Sequence, residues 1–227
     1  SLADIYLGAT QPAVLVTKVK GIEIGAKHRY DKGAAYLTAF WNRFDPLLDS
    51  ALIQDASGNV VNTRFSAQTE NYGIELEGNW KPNPRFELIG NLTLQHPRYK
   101  NLTILNTGQP TSSVEDNRVR RIPGVIANIT PMFNFDAFGH RTKVYATVSH
   151  KGKKYVDTNN TTELPAYTTL DAGAIVDLNE RLRFQIMGAN LTNEIGLTEG
   201  NPRTDPNDPG RKLDIQSHAR SCASCGD

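Results

Sequence analysis

Alternation of apolar and polar side chains with a period of two, sustained over segments longer than an ordinary strand, is the feature that most limits how this chain can fold. In Tyr72-Gly73-Ile74-Glu75-Leu76-Glu77-Gly78-Asn79-Trp80, the residues Tyr72, Ile74, Leu76 and Trp80 fall on one face of an extended chain. Glu75, Glu77 and Asn79 fall on the other. The same division sets Ile22, Ile24 and Ala26 against Glu23, Lys27 and Arg29, and sets Phe86, Leu88, Leu92 and Leu94 against Glu87, Asn91, Thr93 and Gln95. Toward the C-terminus, Leu170, Ala172, Ala174, Val176 and Leu178 oppose Thr169, Asp171 and Asp177, and Leu182, Phe184 and Ile186 oppose Arg183 and Gln185. An amphipathic helix would repeat about every 3.6 residues instead.

These patterns predict eight strands, over 18–30, 34–44, 68–81, 85–95, 121–135, 141–155, 167–178 and 181–190. Most exceed the five or six residues of an average soluble strand and reach the roughly nine to eleven that cross a bilayer at a tilt. The connections alternate in length. Asp31-Lys32-Gly33, Pro82-Asn83-Pro84, 136–140 and Asn179-Glu180 are tight and rich in turn-forming residues, whereas 45–67, 97–119, 156–166 and the stretch from Leu191 onward are long and polar. Short turns at one end and long loops at the other are the plan of an outer-membrane barrel, with the turns periplasmic. The first strand then runs from the exterior inward, and the long loops 45–67 and 97–119 are expected to be mobile and ligand-facing.

Aromatic residues fit two interfacial belts. Trp80, Phe86, Tyr30, Phe133 and Phe135 lie toward the tight turns, and Trp41, Phe44 and Tyr72 toward the long loops. A soluble β-sandwich would also carry strand aromatics. No Lys or Arg falls on the apolar faces, where one at the bilayer midplane costs about 2–4 kcal/mol; His28 and His150 do, near strand ends. Pro123 suits a strand start, while Pro131 predicts a bulge or an early strand end.

Composition removes other classes. Lys plus Arg number 25 against 24 Asp plus Glu, so the chain lacks the basic excess that neutralises nucleic-acid phosphates. Mean hydropathy is -0.45 and no long apolar run occurs, which excludes a transmembrane helix but not a barrel, whose strands are half apolar. Cys222-Ala223-Ser224-Cys225 has the spacing of a redox pair or half a zinc site but lacks both further ligands and a βα context. His28, His96, His140 and His150 are scattered with no nucleophile motif beside them. No catalytic, metal or cofactor site is expected, and the Asn-x-Thr triplets at Asn91, Asn101, Asn128, Asn160 and Asn190 are coincidental in a bacterial barrel.

Several segments together resemble the TonB-dependent outer-membrane receptors. Asn71-Tyr72-Gly73-Ile74-Glu75-Leu76-Glu77-Gly78 is similar to the family's GxExE strand, and Arg121-Ile122-Pro123 to the opening of its next downward strand. Tyr167-Thr168-Thr169-Leu170-Asp171 and Gly188-Ala189-Asn190-Leu191-Thr192-Asn193 resemble the penultimate hairpin, and 194–203 the last extracellular loop. The resemblance covers 18–211 and implies roughly the last third of a 22-stranded barrel in the bacterial outer membrane, without the N-terminal plug or the TonB-contacting segment. It also implies uptake of a scarce nutrient, a ferric siderophore by default, with TonB engaged through the plug.

On this view residues 1–211 are barrel. Residues 212–227, which lack both alternation and a terminal aromatic, are an atypical tail, disordered or frame-shifted. The polar face includes Arg29, Glu75, Glu77 and Arg183 as candidates for the ligand path, or for a charge network against the plug and lumen water. The alternative is a complete small eight-stranded outer-membrane barrel with a structural or binding role.

Overall fold

The computed structural model describes residues 16–54, 60–104, 114–200, 204–205, 208–212 and 215–218, and among these it contains strands and no helix. In chain order the strands are β1 (Lys18–Tyr30), β2 (Gly33–Gln54), β3 (Val60–Asn83), β4 (Phe86–Ile104), β5 (Val125–Ala137), β6 (His140–Lys151), β7 (Lys154–Tyr155), β8 (Glu163–Leu164), β9 (Tyr167–Asp177) and β10 (Arg183–Gly188). Four short strands follow: β11 (Gly196–Gly200), β12 (Thr204–Asp205), β13 (Asp208–Lys212) and β14 (Ile215–His218). One antiparallel sheet holds eight of them in the order β1-β2-β3-β4-β5-β6-β9-β10. The predicted up-and-down meander is therefore what the chain forms. Its edges among the described residues are β1 and β10.

Directly opposed residues in an antiparallel ladder point to the same side, so the register shows what each face carries. One level runs Ile24, Ala39, Ile74, Leu94, Val125; the next runs Ala26, Leu37, Leu76, Leu92, Ala127, His150. Further along, Phe133, Val144, Ala174 and Ile186 share a level. From Ile22 on β1 to Ile186 on β10 this face holds no Lys, Arg, Asp or Glu between the two aromatic levels, yet its side chains are open: Ile24 is 73% exposed and Leu76 45%. An apolar face left uncovered over eight strands suits hydrocarbon and not water. The opposite face carries Lys27, Tyr36, Glu77, Asn91, Asn128, Ser149 and Thr169 at one level. That level is polar across seven strands, with Asn128 donating to Asn91 at 2.9 Å.

The aromatic belts are present with one correction. Toward the turns, Phe86 lies 6.0 Å from Trp80 and 4.9 Å from Phe133; toward the loops, Trp41, Tyr72 and His96 share a level and the Tyr72 and His96 rings are 5.2 Å apart. Phe44 is not in this belt. It stands an odd number of residues from Trp41 and faces inward with Thr69.

Turns account for the tight ends. Phe138 (φ 52°) and Gly139 (φ 80°) both occupy the left-handed region between β5 and β6, the conformation of a two-residue hairpin turn whose twist matches its strands. Pro131 neither bulges nor ends its strand. The β5–β6 ladder skips Thr130 and Pro131 and resumes in unchanged register at Met132, opposite Tyr145. One level away, the Thr130 and Thr147 hydroxyls join the same two strands, 2.9 Å apart. His150, on the apolar face, finds the Thr168 hydroxyl at 2.9 Å.

The larger difference from the sequence-based expectation lies at the loop end. Stretches 45–67 and 97–119 were expected as loops, but β2 and β3 stay paired out to Gln54 opposite Val60, and β4 continues to Ile104. A register shift between Phe44 and Leu47, at the cis Asp45-Pro46 bond, lets the ladder pass the proline. Of the tail 212–227, Lys212 and Ile215–His218 lie in two-stranded pieces with β12 and β11; Cys222 and Cys225 lie outside the described residues.

With Leu76 central in the apolar run of β3 and Glu77 on the opposite face, Leu76→Arg is expected to destabilise the bilayer-folded protein by about 2–4 kcal/mol and Glu77→Arg far less. Denaturant unfolding from lipid vesicles measures the difference.

Candidate functional site

The apolar core among the described residues sits at the loop end, on the inward face of the strand extensions. Phe65, Ala67, Tyr99 and Leu102 are buried there, and Val114 and Val119 of the β4–β5 connection close over them, with Leu47 and Ile122 at the margin. Phe65 and Ala67 alternate with half-exposed neighbours, so the two-residue period continues here with its apolar side turned inward.

A polar node fastens this connection to the wall. Tyr99 Oη donates to Asp49 Oδ2 at 2.6 Å, and Arg120 Nη2 lies 2.5 Å from Asp49 Oδ1. The Asp49 side chain is only 6% exposed, so it meets these groups away from bulk water. Burial first, and then the bond to Asp49, raises the Tyr99 phenol far above its ordinary value of 10.0.

Three further contacts join neighbouring loops. The Arg118 N–H donates to Asn160 Oδ1 at 2.7 Å and Asn160 Nδ2 donates back to the Arg118 carbonyl at 2.9 Å, which ties the β4–β5 connection to the β7–β8 hairpin. Asp157 holds the turn of that hairpin by accepting from the N–H groups of Thr161 (2.9 Å) and Thr162 (2.7 Å). Arg121 Nε pairs with Glu199 Oε2 at 2.8 Å, and Lys154 Nζ donates to the Thr198 carbonyl at 2.6 Å, bringing in β11. The described loop residues thus hold one another in a folded cap, and among the described residues no His, Cys, Asp and Glu cluster could hold a metal.

The residues expected on the ligand path are spread along the inward face. Glu75 and Glu77 sit two apart on β3, opposite Thr38 and Tyr36. Arg29 is one level nearer the turns, on β1 opposite Ala34. Arg183 is at the turn end of β10, bound to Asp177 at 2.6 Å, beside a cleft of about 860 Å³ that Arg85, Arg141 and Lys143 also line. The structure brings Glu75 and Glu77 together and leaves Arg29 and Arg183 apart. Tyr99, Asp49 and Arg120 were not singled out from sequence, and Asn160 was noted only as part of a coincidental Asn-x-Thr triplet. The available signal was Phe65-x-Ala67-x-Thr69 continuing the alternation, and the run Arg118-Val119-Arg120-Arg121.

The family model described as TonB dependent receptor-like, beta-barrel, matches residues 9–191. No curated protein sequence matches. Among solved structures, the ferric preacinetobactin receptor BauA of Acinetobacter baumannii is similar at 20% identity and TM-score 0.62, over 79% of this chain and 26% of that one. The ferric yersiniabactin uptake receptor FyuA of Yersinia pestis follows at 19% and 0.60, over 82% and 26%. The copper transporter OprC has 9% identity and TM-score 0.59, over 79% and 26%. The chain therefore spans about a quarter of the length of these proteins. At such identities the likeness shows the fold.

Removing Asp49 takes the acceptor from the buried Tyr99 phenol and the partly buried Arg120 guanidinium, whereas removing the Tyr99 hydroxyl disturbs less. Limited trypsin digestion of the intact protein is expected to cut at Arg118, Arg120 or Arg121 fastest in Asp49→Ala, next in Tyr99→Phe and slowest in the parent; equal rates contradict the clamp. Because the folded state raises the Tyr99 value, its stabilisation is full below about pH 10 and is lost as pH rises through the higher folded value. Absorbance titration should show one tyrosine that fails to ionise with the rest until the cap opens.

Proposed function

This chain belongs to the TonB-dependent receptor β-barrel family, and from that membership we propose that it is part of the wall of a bacterial outer-membrane receptor that imports a ferric siderophore with energy relayed by TonB. The observation that carries the proposal is the charge-free, exposed apolar face running across all eight strands, backed by a polar inner face and closed at one end by folded loops. The loop end faces the exterior and the tight turns face the periplasm. Contact with TonB is assigned to the plug, outside this segment.

A siderophore is favoured over other cargo because ferric-siderophore receptors recur among the structures this one resembles; OprC, a copper transporter of the same fold, marks what the fold leaves open. Glu75, Glu77 and Arg29 are proposed as lining the ligand path, whereas Arg183 is engaged at the periplasmic rim by Asp177. For a complete eight-stranded barrel, β1 would have to pair with β10, and among the described residues the strand order ends on both.

Deleting the whole gene tests the proposal. Uptake of radiolabelled ferric siderophores under iron limitation should fall to the level of a strain lacking TonB. Unchanged uptake of every siderophore the cell uses would overturn the assignment of cargo.

A further inference from the structure

The hairpin between β5 and β6 breaks two local preferences at one residue. Its two-residue turn, Phe138-Gly139, holds both positions in the left-handed region, φ 52° and 80°, where Asn, Asp and Gly fit and a bulky side chain is strained. Phe138 is also fully exposed, so the tip of the turn presents a whole apolar ring to its surroundings. A strained residue that buries none of its ring in its own fold points to a contact outside it.

That contact is not the bilayer. Phe133 lies in the turn-side aromatic level with Phe86, and Ala137 pairs with His140, so the tip begins four residues further along β5. At about 3.3 Å per residue and a tilt near 40°, Phe138 stands about 10 Å beyond Phe133 along the barrel axis, past a headgroup layer of about 5–8 Å. The three other tight turns end on the same side. Residues 29–32, 81–87, 136–143 and 177–183 together hold eight Lys and Arg, besides His140, against five Asp and Glu. Asp177 is bound by Arg183 at 2.6 Å and Asp136 stands opposite Arg141 in register; Asp31, Glu87 and Glu180 are the other carboxylates. Among the described residues no carboxylate forms an ion pair with Lys81, Arg85, Lys143 or Arg181.

Separate turn tips with an excess of cations suit a repeating anionic polymer better than a protein, which needs a continuous surface of about 800 Å² on each side. Scattered charges engage a polymer through many weak contacts at once. We propose that these turn tips bind peptidoglycan, with Phe138 packed on the apolar face of an amino-sugar ring and Arg85, Arg141 and Arg181 meeting carboxylates of the peptide stems. This rests on the orientation given above, with the tight turns in the periplasm. It adds a partner at the end of the wall away from the entry of cargo.

The test sediments the intact receptor, purified in mild detergent, with isolated sacculi and with sacculi whose carboxyl groups have been converted to amides. The parent should bind the native sacculi and lose about tenfold or more in affinity for the amidated ones. Phe138→Asn, which suits the left-handed turn, should weaken binding by about tenfold, and Arg85→Gln/Arg141→Gln/Arg181→Gln by about as much. A loop-end control, Lys100→Gln/Lys153→Gln, should bind as the parent does. No sedimentation of the parent, equal binding to the two kinds of sacculi, or equal loss in the control would overturn the site. A photo-crosslinker at position 138 that joins a protein and no glycan in living cells would overturn peptidoglycan as the partner. Labelling of Phe138→Cys, with Cys222 and Cys225 replaced by Ser, by an impermeant maleimide added to intact cells would instead remove the orientation. That result is distinct from a periplasmic tip that binds no sacculi.

Discussion

Every backbone N–H and C=O that enters hydrocarbon must find a partner within the protein, because no water is there to supply one and each unpaired group costs several kcal/mol. The rest of this structure depends on that constraint. It explains why the strands are long and why the eight strands of the sheet pair neighbour to neighbour from β1 to β10, the β5–β6 ladder keeping its register past Pro131. It also gives the apolar face its meaning. In water the exposed Ile24, Leu76 and Ile186 would drive association; against lipid they need no cover.

Much of the membrane part was legible because the two-residue period has two different solvents to report. Between Lys18 and Tyr30, or Phe86 and Gln95, one face meets lipid and the other a polar interior, so side-chain type follows position. Beyond Trp41, Tyr72 and His96 that code changes. The outward face enters the headgroup and water layers and becomes Arg43, Glu70 and Arg98, while the inward face becomes Phe65, Ala67 and Tyr99 beneath a loop. Rising polarity and Pro46 therefore resembled loop onset where strands continued. The inward turn of Phe44 is the same reversal seen at one residue.

The loop-end node was less legible for a different reason. Tyr99, Asp49 and Arg120 are separated in sequence by tens of residues and meet only through the register of β2, β3 and β4. Pairwise chemistry of that kind leaves no local pattern. Glu75 and Glu77 were legible because adjacent positions on one face are two residues apart. The outcome is a wall with three chemically distinct surfaces: apolar toward lipid, polar toward the lumen, and a hydrogen-bonded cap at the exterior end whose loops hold one another.

The central claim is that Ile74 and Leu76 face lipid while Glu75 and Glu77 face an aqueous lumen. Spin labels placed one at a time at positions 74–77 of the intact receptor, with Cys222 and Cys225 replaced by Ser, test it most directly by their collision rates with oxygen and with a water-soluble nickel chelate. The account predicts alternation: high oxygen and low nickel collision rates at 74 and 76, and the reverse at 75 and 77. Uniform rates along the four positions, or nickel access at 76, would contradict it.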